Sequence, residues 1–124
     1  MKLIQLVNSV EALNELAKTK LPAATSFKIA TFMNTNAPKV EEYHKVRNEK
    51  MEAYGDVVLD DAGKEIEPKQ FKFTNDNGKK FVEEMVELEN TELDSSIPEI
   101  KSSDLAFATI EPKHLLTLSW LIKE

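Results

Sequence analysis

Only a few residues in this chain have side chains whose type and spacing could do chemistry. Two histidines, His44 and His114, lie seventy positions apart. A zinc site wants three or four nitrogen, sulfur or oxygen ligands at suitable spacing, and neither histidine has a partner motif beside it. Asp60-Asp61-Ala62-Gly63-Lys64-Glu65 has the look of a calcium loop. Its acidic positions, glycine and glutamate do not align with an EF-hand, and Asn75-Asp76-Asn77-Gly78 fails in the same way. A turn and a helix cap account for both. Glu83, Glu84, Glu87, Glu89, Glu92 and Asp94 form an acidic run. Paired carboxylates do acid–base work when burial separates their pKa values, but a solvated helix face is the plainer reading. No nucleophile elbow, phosphate loop or dinucleotide fingerprint occurs. Three glycines are too few for a phosphate cradle. No catalytic, cofactor-binding or metal-binding residue is therefore assigned, and no enzyme is expected.

Composition narrows the partners. Sixteen basic residues face 22 acidic ones, for a formal charge of −6. The lysines are interleaved with carboxylates, so no basic face displaces counterions from a nucleic acid. With 41% hydrophobic and 31% charged residues, the 124-residue chain reads as one globular domain. It has no cysteine, so disulfides and thiolate chemistry are excluded. The apolar start Leu3-Ile4 is broken at Gln5 and Asn8, unlike a secretory signal. No segment reaches the ~20 apolar residues of a membrane span.

Helical periodicity sets out the elements. Leu3, Leu6, Val7, Val10, Leu13, Leu16 and Ala17 predict a first helix over 3–18. Pro22 suits the first turn of a second helix, predicted over 22–54. Along it Ala23, Ser26, Ala30, Met33, Ala37, Val40, His44, Arg47, Met51 and Tyr54 recur every three or four residues as one seam. Phe27, Ile29, Phe32, Tyr43 and Val46 flank that seam. Pro38 costs ~3 kcal/mol inside an ideal helix, so a kink is expected there, with a fresh cap at Asn36 as the alternative. A continuous helix would run about 50 Å and close at Gly55 in the left-handed conformation.

Val57-Val58-Leu59, a turn at Asp60–Gly63, and Ile66, Phe71 and Phe73 predict an irregular β-hairpin. A third helix is expected over 76–89, with Phe81, Val82, Met85, Val86 and Leu88 on its apolar face. Leu93, Ile97, Ile100, Leu105, Phe107 and Ile110 are anchors in an extended segment. From Glu111-Pro112 onward a densely apolar helix is expected to be buried, in the domain or under a partner. The fold class is helix-dominated α+β, with a helical hairpin arm over 1–55 and a small α+β module over 56–124.

The order of short motifs resembles an uncharacterised family of small tailed-phage and prophage proteins. These motifs are Leu21-Pro22, Phe27-Lys28-Ile29-Ala30, Arg47, Tyr54-Gly55, Ile97-Pro98-Glu99-Ile100, Ser103-Asp104-Leu105 and Ile110-Glu111-Pro112. The resemblance implies a bacterial host cytoplasm or a virion as the setting, and no reaction. The expected function is a non-catalytic structural or accessory role through a protein partner or self-association, with no small-molecule substrate. The candidate contact residues are Ala30, Met33, Ala37, Val40, His44, Arg47, Met51, Tyr54, Leu118 and Trp120. Arg47 would supply an ion pair to another helix or subunit. The alternative is an inhibitor of a host defence or regulatory protein, with the acidic run mimicking nucleic acid.

Overall fold

The computed structural model describes residues 1–94, 96–106 and 108–123. Phe107, one of the expected anchors, lies outside them. The fold is helix-dominated α+β. Its helices are α1 (Leu3–Ala17), α2 (Ala23–Tyr54), α3 (Asn75–Glu89) and α4 (Pro112–Thr117). Its strands are β1 (Asp56–Val57), β2 (Phe71–Lys72), β3 (Ile100–Lys101) and β4 (Ile122–Lys123). The first pair is antiparallel and the second parallel.

The chain divides into two compact units, Met1–Val40 with Glu92–Glu124, and Glu41–Thr91. The segment following α3 returns to the first unit, where Leu93 N–H donates to the Met1 carbonyl at 2.9 Å. The α2 helix contributes to both units.

In the first unit α1 buries Leu3, Leu6, Ser9, Ala12, Leu13 and Leu16, the stripe that a period of 3.6 residues aligns. These meet Ile29 and Phe32 of α2, together with Ile100, Leu118 and Leu121. The final helix is shorter than expected. After Thr117 the chain turns, and Ile122 pairs with Ile100 while Lys123 pairs with Lys101. The β-branched Ile122 favours that extended pairing. Leu93, Leu105 and Ile110 pack against the core as half-buried anchors, whereas Ile97 is exposed.

Helix α2 runs through Pro38. The proline has no N–H to give the Asn34 carbonyl. Asn36 does not cap a new helix. Its side-chain amide donates back to the Phe32 carbonyl at 2.8 Å, and its Oδ1 accepts from Lys39 Nζ at 3.3 Å. Both polar ends of this buried amide are thus satisfied.

In the second unit the hairpin turns at Asp60. Its Oδ1 accepts from the N–H groups of Ala62 and Lys64, each at 2.9 Å. Gly63 adopts φ +78°, a conformation that costs glycine little. Gly55 does not take the left-handed form expected of it. It is there for close approach: a Cβ at 55 would stand 2.7 Å from the Met51 carbonyl oxygen and 3.0 Å from Phe71 Cβ. Thr74 caps α3 by accepting from Asn77 N–H at 3.3 Å. Tyr43 and Met85 are buried here, and Phe73 stacks on Phe81 with ring centroids 5.0 Å apart.

Candidate protein-contact site

The buried stripe of α2 in the first unit is Thr25, Ile29, Phe32 and Asn36. This lies one position to the side of the expected seam. Ile29 and Phe32 remove more apolar area from water than the alanines do, so the helix rotates them inward. Ala30 and Ala37 are consequently exposed, and Met33 and Val40 are half-buried against the core.

In the second unit Tyr43 turns inward, Met51 and Tyr54 are half-buried, and His44 and Arg47 are exposed. His44 meets the Tyr43 ring edge-on at 5.3 Å. Arg47 makes no ion pair among the described residues; its charge acts on the Tyr43 hydroxyl.

Leu118, expected as a contact residue, is fully buried at 0% exposure and closes the first unit's core. Trp120 is half-buried. Its indole N–H donates to Ser9 Oγ at 3.0 Å, and Ser9 donates in turn to the Gln5 carbonyl at 2.6 Å. The indole also lies 5.7 Å from the Phe32 ring. This chain of contacts ties α1, α2 and the C-terminal turn together, an internal use for Trp120 that sequence spacing did not reveal.

The first unit carries an open cleft of about 520 Å³ along α2. Phe27, Phe32, Ile97 and Pro98 line it with apolar surface, while Lys28, Lys39 and Asp94 bring charge to it. Phe27 is 72% exposed and Ile97 39%. By spacing alone Phe27 flanks the seam. Its prominence follows from the one-position rotation of α2.

On the second unit, α3 turns Phe81, Met85 and Leu88 inward and leaves Val82 and Val86 at 57% and 49% exposure. Both valines were expected on the apolar face. They lie about 100° around the helix from Phe81 and Met85, and that suffices to expose them. Glu83 and Glu87 stand beside them, also exposed.

The other two helical glutamates face α2. Tyr43 Oη donates to Glu89 at 3.0 Å, and Lys50 Nζ pairs with Glu84 at 3.5 Å. Burial raises the Tyr43 pKa above 10.0, with the Glu89 hydrogen bond and charge adding to it. The Glu84 hydrogen bond, then burial and the carboxylate charge, raise that of Tyr54. In both cases ionising the phenol would set an anion against a carboxylate.

His114 is buried, and its Nε2 stands 3.9 Å from Glu11 Oε1 without a hydrogen-bond partner. His44 belongs to the other unit. No group of three histidine or acidic side chains suited to a metal ion occurs among the described residues. No described helix is long and apolar enough to cross a membrane. The chain matches no protein-family model, no curated protein and no solved structure.

Proposed function

We propose that this chain is a non-catalytic, phage-encoded structural or accessory protein that works through protein–protein contacts as a component of the virion. The phage setting comes from the resemblance of its ordered short motifs to small tailed-phage and prophage proteins. The observation that carries the contact reading is the exposure of Phe27 at the mouth of the apolar cleft. An exposed phenylalanine continuous with further apolar surface is poorly placed for water and well placed as an anchor for a partner. In the alternative, a nucleic-acid mimic that inhibits a host protein, the acidic run has one of its charges offset, that of Glu84 by Lys50.

Quantitative mass spectrometry of gradient-purified particles tests this reading. The wild-type chain should co-sediment with particles at a fixed ratio to the other virion proteins. Phe27→Asp, expressed equally, should be depleted about tenfold, the loss expected when one apolar anchor is removed. Absence of the wild-type chain from particles, with a stoichiometric complex on one host protein instead, would support the inhibitor reading.

A further inference from the structure

A second cleft of the first unit differs in kind from the one at Phe27. It has a volume of about 460 Å³ and is lined by Gln5, Asn8 and Ser9 of α1 and by Thr117, Ser119 and Trp120 at the end of α4 and the turn beyond it. None of these described lining residues is ionisable, in a chain of which 31% is charged. They bring together two carboxamides, three hydroxyls and one indole. We propose that this cleft binds the pyranose ring of a neutral saccharide.

Local bonding holds the lining in place before any ligand arrives. Gln5 Oε1 accepts from the Lys2 N–H at 2.8 Å, which leaves its NH2 group to donate. Thr117 Oγ1 donates to the Lys113 carbonyl at 2.9 Å, which leaves its lone pairs to accept. Trp120 gives its one N–H to Ser9, which is buried at 1% exposure. The half-buried indole therefore brings apolar surface to the cleft and no free donor. Asn8 and Ser119 are exposed and can each donate and accept. Side chains already fixed by such bonds lose little freedom on binding.

A sugar ring matches this set. Each of its hydroxyls donates and accepts, as the carboxamides and hydroxyls of the lining require, and its C–H face suits the apolar body of an indole. A phosphate or carboxylate ligand would shed water and find no counter-charge among these residues. A peptide helix or strand wants apolar pockets at regular spacing, whereas Trp120 alone is apolar among the described lining residues. The volume falls within the range of about 300–1,000 Å³ usual for small-molecule sites. The inference goes beyond the protein-contact reading and does not require it.

Trp120 is the chain's single tryptophan, so its fluorescence reports on the cleft. The full wild-type chain is titrated with methyl glucoside, methyl galactoside and methyl mannoside, and with dextran, galactan and mannan. At least one glycoside should change the emission saturably, and saturation-transfer NMR should show its ring protons in contact with the protein. The 6-phosphate of the same sugar should bind more weakly. A chain carrying both Asn8→Ala and Ser119→Ala, at exposed positions, should melt as the wild type does and bind at least about tenfold more weakly. Tighter binding of the matching polysaccharide would identify a surface glycan as the source, and equal binding per ring a free sugar. No saturable response to any glycoside, equal or stronger binding of the phosphate, or unchanged binding by the double variant would overturn the inference.

Discussion

Tyr43 shows how one buried polar group couples a helix pair to pH. Its hydroxyl donates to Glu89, and burial followed by that carboxylate holds its pKa above 10.0. The folded state therefore keeps the phenolic proton at pH values where the unfolded chain releases it. This contribution is complete below the unfolded value and is lost as pH rises through the folded one. Tyr43→Phe should lower stability by about 1–2 kcal/mol at neutral pH, and should flatten the loss above about pH 10 in urea titrations. Gly55 is a second such position. Gly55→Ala places a methyl against the Met51 carbonyl and Phe71, and should cost about 1–3 kcal/mol, read from the urea midpoint. Sequence marked Gly55 as special but assigned the wrong reason. A turn and a close approach both call for glycine, and only the neighbours across the hairpin tell them apart.

At the scale of elements, periodicity placed helices well where one face is strongly apolar. The stripe of Leu3, Leu6, Leu13 and Leu16 left α1 little choice. The helix cap near Asn75, supplied by Thr74, and the Asp60 turn were legible for another reason: both depend on side chains bonding to nearby backbone. Helix α2 was harder. Its apolar residues spread around much of the circumference, so adjacent stripes competed, and Ile29 and Phe32 decided the matter by burial. The end of the chain failed differently. A Leu-rich segment suits a helix or a strand, and pairing with Ile100 selected the strand for Ile122. Trp120 tests the packing of that turn. Trp120→Phe removes the bond to Ser9 while keeping an aromatic ring near Phe32. It should destabilise the chain by about 1 kcal/mol, and Ser9→Ala should produce a similar shift in melting. The double variant should lose less than the sum, because the two side chains share one interaction.

For the whole molecule, the feature that sequence concealed most was which distant segments meet. Leu93 and Ile100 are far in sequence from α1 and Ile122, and only the returning segment reveals which residues they meet. The contact surface was hidden with it. Ala30, Ala37, His44 and Arg47 belong to the exposed flank of α2, whereas Leu118 is spent on the core. Phe27, Val82 and Val86 are among the exposed large apolar side chains, with Leu59 and Leu116. Quantitative mass spectrometry of gradient-purified particles puts the contact reading to its most direct trial. The wild-type chain should sit at a fixed ratio to the other virion proteins, and Phe27→Asp should be depleted about tenfold. A wild-type chain absent from the particles would contradict the reading.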